Sequence, residues 1–181
     1  HAPAHQPQAD DLPRPPLQPP GYPQHLSAAV ADPGSQSLLR QAAERAESGD
    51  FAQAAELAQQ ILSRNGADAE ALFLLGRSLA MLDRNDEAIT VLEKTTKVWP
   101  DDLEALNLLG HLLFHSDRHE EAKATFARCL GLDPNHVEAM RQMANLTLGS
   151  DQAGSLSLFK QAYALAPDHA DLLFDHAWAV M

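Results

Sequence analysis

Residues 72–79 read Leu-Phe-Leu-Leu-Gly-Arg-Ser-Leu, and residues 106–113 read Leu-Asn-Leu-Leu-Gly-His-Leu-Leu. The second stretch repeats the first at an offset of 34 in the numbering, and the correspondence continues past their ends: Ala88 recurs as Ala122 and Pro100 as Pro134. Aligned without gaps, residues 69–102 and 103–136 share twelve identities. Self-similarity at a fixed period of this size marks a repeat architecture, in which each unit buries its apolar face only against its neighbours.

Within each period, apolar residues recur at three- and four-residue intervals, the spacing of one helix face. Aromatics make up only 6% of the chain, and Ala and Leu dominate the apolar set. That composition favours helices over strands. Gly76 and Gly110 fall in the middle of the first helix of each pair. Glycine there costs about 1 kcal/mol relative to Ala. A close helix–helix approach accounts for that cost, with Ala88 and Ala122 as the expected facing residues. Asp83-Arg84-Asn85 and Ser116-Asp117-Arg118 are turn-rich breaks between paired helices. Pro100, Pro134 and Pro167 are expected to end each second helix.

The pattern extends in both directions. Gly49-Asp50-Phe51 aligns with the turn, and Ala54 precedes Ala88 by the same offset. Met140, Ala144, Phe159, Ala162 and Pro167 fit if one residue is lost near Leu148-Gly149-Ser150, which puts Thr147 at a core position. The units then cover about 35–68, 69–102, 103–136 and 137–169, and residues 170–181 open a fifth. Gln41, Ala42 and Arg45 stand where Leu, Gly and a bulky apolar residue recur later, which suits a polar terminal cap. At the other end, Leu173, Ala177 and Val180 belong to a first helix without a second. The expectation is a chain cut from a longer protein, or a helix that packs on a neighbouring copy.

Residues 1–34 differ in kind. They hold nine of the twelve prolines, including Pro15-Pro16 and Pro19-Pro20, and read as an extended tail with polyproline-like stretches. A flexible linker is the plain reading, and a segment that lies in a groove is the sharper one. The chain begins at His1, as a processed product, a tagged chain or an excised fragment would.

A net charge of −12 argues against binding to phosphate backbones and to anionic membrane surfaces. No apolar run reaches transmembrane length. The single cysteine, Cys129, excludes an internal disulfide and leaves the compartment open between cytoplasm and periplasm.

The period and motif resemble the tetratricopeptide repeat, whose pattern runs W-x2-L-G-x2-Y, A-x3-F, P. Here the residues are Leu72-x2-Leu75-Gly76-x2-Leu79, Ala88-x3-Leu92 and Pro100, then Leu106-x2-Leu109-Gly110-x2-Leu113, Ala122-x3-Phe126 and Pro134. The resemblance covers about residues 35–181. It implies an all-α fold, an α-solenoid of antiparallel helix hairpins in a right-handed superhelix, with the first helix of each pair lining the concave side.

It also implies that ligand contacts come from positions 2, 5, 9, 12 and 13 of those first helices. Position 5 runs Leu39, Phe73, Asn107, Arg141, Phe174, and position 9 runs Ala43, Arg77, His111, Asn145, Trp178. Position 12 runs Ala46, Ala80, Phe114, Leu148, Met181, and position 13 adds Met81 and His115. The partner-binding groove expected from this is Phe73, Arg77, Asn107, His111, Phe114, Arg141, Asn145, Phe174 and Trp178. Amides that grip a backbone, Arg that grips carboxylates and aromatics that hold apolar side chains suit an extended peptide. Position 2 carries Glu70, Glu104, Glu138 and Asp171, which sit in first turns and read as partners of the helix dipole. Arg141 and Asn145 resemble the Lys-x3-Asn pair of carboxylate-clamp repeats, but Asp175 stands where the next Asn is required, so no clamp is expected.

His111, His115 and His119 are spaced four apart, and such a pair on one helix face can bind zinc. No third ligand is placed beside them, so they read as titratable residues of the groove. Cys129 reads as a core residue. The chain has no P-loop, GxGxxG, HExxH or GxSxG motif. The expected function is a non-catalytic interaction scaffold for a peptide or protein, with no cofactor and no metal. Two alternatives stand beside it. One is the substrate-recruiting N-terminal part of a larger enzyme of glycosyltransferase, sulfotransferase or hydroxylase type. The other is a homo-oligomer assembled through the last helix or the proline-rich tail.

Overall fold

The computed structural model describes residues 33–167. The expected tail over residues 1–34, except its last two residues, and the expected opening of a fifth unit over residues 170–181 lie outside the described residues. Among the described residues there are eight helices and no strand: α1 (Pro33–Glu47), α2 (Phe51–Arg64), α3 (Ala69–Met81), α4 (Asn85–Val98), α5 (Leu103–His115), α6 (His119–Leu132), α7 (Val137–Thr147) and α8 (Gln152–Leu165). The chain is an all-α solenoid of tandem hairpins.

Helix starts repeat with the period. The side chains of Asp68, Asp102 and His136, spaced by one period each, accept a backbone N–H of the first turn of α3, α5 and α7. Each satisfies a donor that the helix cannot satisfy itself. His136 does this through Nδ1, which accepts from the Ala139 N–H at 3.1 Å. Helix ends obey the prolines: α4, α6 and α8 stop at Val98, Leu132 and Leu165, two residues before Pro100, Pro134 and Pro167.

The turns inside the hairpins share one geometry. Gly49, Asp83 and Asp117 have φ of 83°, 57° and 58°. At each, the left-handed residue donates its N–H three residues back and the following residue donates five back. For the second turn these are Asp83 N–H to the Ala80 carbonyl (3.1 Å) and Arg84 N–H to the Leu79 carbonyl (3.0 Å). This is the Schellman closure of a helix C-terminus, in which aspartate tolerates a conformation that glycine adopts freely. The fourth turn departs from it. Helix α7 has 11 residues where α3 and α5 have 13, and its cap residue Leu148 is right-handed. The residue missing there is thus a missing left-handed step. Thr147, expected in the core, is only half-buried, and its hydroxyl donates back to the Met143 carbonyl at 2.8 Å.

The glycines mark the tightest packing, with a correction to the expected partner. A Cβ on Gly76 would lie 2.8 Å from Leu92 Cγ, and one on Gly110 would lie 2.7 Å from Phe126 Cε1 and Cζ. Ala88 and Ala122 are buried, but the large residue four positions further on fills the glycine's space. Phe126 and Leu92 are fully buried there. One continuous core runs from Ala55 in α2 to Ala139 in α7 and crosses all four hairpins.

Each helix packs on the helix before it and the helix after it, and α1 also touches α3 and α3 touches α5. No two second helices are in comparable contact among the described residues. The second layer is tied by longer side chains. Arg118 donates to Glu121 at 2.6–2.7 Å and to Glu93 of the preceding hairpin at 3.1 Å. These groups are 39–57% exposed, and pairs of that kind contribute little to stability.

Two substitutions separate backbone conformation from packing. Gly49→Ala meets no atom within 4 Å, so its cost is conformational. It is expected to lower unfolding free energy by about 1 kcal/mol. Gly110→Ala meets the Phe126 ring and is expected to cost about 1–3 kcal/mol. In urea titrations the double variant Gly110→Ala/Phe126→Leu should show a smaller loss than the sum of the two single variants.

Candidate functional site

The burial pattern selects one strip of each first helix. In α3 the buried set is Ala69, Ala71, Leu72, Leu74, Leu75, Gly76, Ser78 and Leu79, which leaves Glu70, Phe73, Arg77, Ala80 and Met81 on the other side. In α5 the same register leaves Glu104, Asn107, His111, Phe114 and His115, and in α7 it leaves Glu138, Arg141, Asn145 and Leu148. Spacings of three and four put each set on one helix face. Because α3 touches α5 and Glu138 of α7 lies 3.1 Å from His111 of α5, the three faces form one strip. Of the expected groove residues, Phe73, Arg77, Asn107, His111, Phe114, Arg141 and Asn145 belong to it. Phe174 and Trp178 lie outside the described residues.

The centre of the strip is held by a carboxylate. Glu138 Oε1 accepts from His111 Nε2 (3.1 Å), from Arg141 NH2 (2.7 Å) and from Gln142 Nε2 (2.9 Å), and Oε2 accepts from Arg141 Nε (3.0 Å). Burial opposes ionisation of Glu138, yet the hydrogen bonds from His111, Arg141 and Gln142, with the Arg141 charge, hold its carboxyl far below the usual carboxylate range. The Arg141 guanidinium is bidentate on this carboxylate and its side chain is only 19% exposed. Glu138 therefore does more than complement the dipole of α7: it joins α5 to α7 and engages two of the expected groove residues, His111 and Arg141.

The signal for this was present in the sequence. The step from His111 to Glu138 places position 9 of one first helix against position 2 of the next. Arg77 and Glu104 have the same separation. Among the described residues, however, no ion pair or hydrogen bond engages Arg77, which is exposed. Glu70, on the same face of α3, is shifted upward by burial and then by the charge of Asp68.

Aromatic contacts connect the strip to the core. The His111 ring meets Phe126 edge-on, with centroids 5.7 Å apart at 88°. Phe114 is flanked by His115 at 5.4 Å and His119 at 5.6 Å. Two histidines of the i, i+4 series thus flank Phe114, and the remaining one, His111, meets Phe126. Among the described residues no group of three His, Cys, Asp or Glu is placed to hold a metal ion. Asn107 Oδ1 is buried and accepts no hydrogen bond. An acceptor left so costs about 1–3 kcal/mol until a donor reaches it. Cys129 is fully buried, and burial pushes its thiol up to about 11 against the opposing charge of Arg128. No described helix is long and apolar enough to cross a membrane.

Two family models, each described as tetratricopeptide repeat, match residues 45–112 and 103–136. The chain belongs to the tetratricopeptide-repeat family. Solved structures agree on the fold. A MamA protein matches with a TM-score of 0.74 at 17% identity, over 80% of this chain and 80% of that one. YrrB, described as a TPR protein with an unusual peptide-binding site, matches with a TM-score of 0.72 at 19% identity, over 78% and 74%. An O-GlcNAc transferase mutant of Thermobaculum terrenum matches with a TM-score of 0.65 at 22% identity, over 75% of this tetratricopeptide-repeat chain but 27% of the transferase. No curated protein matches the chain in sequence.

The Glu138 centre has a signed pH dependence. Its folded carboxyl lies below the unfolded value of about 4.3, so its stabilisation is present above that pH and is lost as pH falls toward the folded value. Glu138→Gln is expected to cost about 1 kcal/mol at pH 7, a cost that shrinks below about pH 4. Urea midpoints at pH 7, 5, 4 and 3 measure it, and a cost that does not change with pH contradicts the assignment. Cys129 is expected to stay unlabelled by a thiol reagent at pH 8 in the native protein and to react at once in denaturant.

Proposed function

We propose that this tetratricopeptide-repeat array is a protein-interaction scaffold that takes an extended peptide segment along the strip of its first helices and performs no chemistry on it. The observation that carries the reading is the state of the strip's side chains. Off the strip some cations pair with carboxylates, as Arg84 does with Glu87 and Arg118 does with Glu121, and others, such as Lys94 and Lys97 of α4, are exposed to solvent. What sets the strip apart is an unpaired charge beside apolar side chains. On the strip, Arg77 is unpaired and the Asn107 acceptor is unfilled. Beside them stand partly exposed apolar groups, Phe73, Ala80 and Phe114.

That mixture suits a peptide. Carboxamides bond main-chain N–H and C=O groups whatever the side chains, and aromatic surfaces accept apolar side chains at alternate positions. Three adjoining helices repeat such groups along a line, which matches an extended segment better than a compact ligand. YrrB, with which the chain shares its fold, is a TPR protein with a peptide-binding site. A second reading has one observation behind it, since the same fold occupies part of a glycosyl-transferring enzyme. In that reading the strip recruits substrate for a catalytic domain encoded beyond Met181, and a stop codon shortly after that position would refute it.

A photo-crosslinking amino acid at position 114 tests the scaffold reading directly. With a peptide library, adducts are expected at position 114 and not at position 97, an exposed site on second helix α4. Equal yields at both positions would remove the strip as the binding face.

A further inference from the structure

Resting on the peptide-scaffold reading, we propose that the strip selects an internal acidic side chain, Asp or Glu, next to an apolar residue. In this arrangement Arg77 is the group that receives the carboxylate. Two arginines stand on the strip, and their states differ. Arg141 is bidentate on Glu138 at 2.7 and 3.0 Å and is largely covered. Its charge is already answered within the protein. Arg77 occupies the strip one hairpin before His111, is exposed, and has no ion-pair or hydrogen-bond partner among the described residues.

The surroundings of Arg77 fix the rest of the motif. Phe73 lies one helical turn before it on the same face of α3, and Ala80 and Met81 lie one turn after it. Met81 is 57% exposed, the largest exposure among the large hydrophobic residues described. A carboxylate seated on Arg77 thus has apolar surface on both sides along the helix. On adjoining α5, the unfilled Asn107 acceptor offers a place for a peptide N–H, reached by rotation of the carboxamide. An unpaired guanidinium flanked by apolar groups and an unfilled backbone-type acceptor describe an acidic–apolar extended segment. Either feature alone would describe much less.

The overall charge of −12 acts against an acidic ligand at long range. At physiological salt that repulsion is screened beyond about 8 Å, whereas a contact pair within a partly covered groove is screened far less. The selection is therefore local, and it resides in one residue. A free C-terminal carboxylate would offer similar chemistry, so the test separates the two sources.

The probe is an immobilised array of acetylated dodecapeptides in a Gly-Ser background. Each carries one central Glu, Asp, Gln or Lys, with Leu or Ser beside it. One set has amidated C-termini and a second has free carboxylates. The full chain is expected to retain the amidated Glu-Leu and Asp-Leu peptides at least fivefold over the Gln-Leu isostere. Arg77→Gln should reduce them to the Gln-Leu level, while Lys97→Gln, at an exposed cation on second helix α4, keeps the preference. Circular dichroism confirms that both variants remain helical. Preference unchanged in Arg77→Gln, preference for Lys, or retention confined to free C-termini overturns the inference and leaves peptide binding standing. Retention of no peptide overturns the scaffold reading and this inference with it.

Discussion

The structure depends on the contact between a bare Cα and a large side chain. Gly110 has no side chain, so the Phe126 ring comes within 2.7 Å of where a Cβ would be, and Gly76 does the same for Leu92. In these two central hairpins this sets the separation of the paired helices and fixes their register, because only one residue in α3 and one in α5 permits the approach. The interior glycine costs about 1 kcal/mol of helix propensity. Complete burial of a Phe or Leu side chain returns about 1.5–3 kcal/mol, which decides the balance in favour of the close pair.

That contact reaches the strip of the first helices through few intermediates. The Phe126 ring that enters at Gly110 also meets His111 edge-on. His111 donates to Glu138, and Glu138 holds Arg141. The core of one hairpin, the groove of that hairpin and the groove of the next are thereby linked by direct contacts. The consequence is asymmetry along an otherwise periodic strip. Its fourth-hairpin part is an internally satisfied hydrogen-bonded centre, and its second-hairpin part is open, with a free cation among apolar side chains. The scaffold repeats along the array while the pairing states of the side chains on its strip do not.

Much of the fold was legible in the sequence for a physical reason. The same offset appears independently in the glycines, the alanines, the prolines, the capping residues Asp68, Asp102 and His136, and the turn residues Gly49, Asp83 and Asp117. Each of these responds to a local backbone requirement, and local requirements are written in residue type. Thr147 falls at a core position only when the pattern is carried across a gap. With one turn residue missing, α7 ends at Thr147 and leaves it half-buried.

The sequence by itself determined the all-helical class, the period, and the places where helices begin and end. Periodicity and capping act within a few residues, so they survive in one dimension. Only the tertiary structure decided that Phe126 and Leu92, and not Ala122 and Ala88, fill the space at the glycines, because that depends on helix separation and side-chain reach. It alone decided that Glu138 binds Arg141 and His111 while Arg77, at the same register as His111, stays free. Residue type fixes the charge a side chain carries, but whether that charge is already answered depends on which neighbour comes within hydrogen-bonding distance in space.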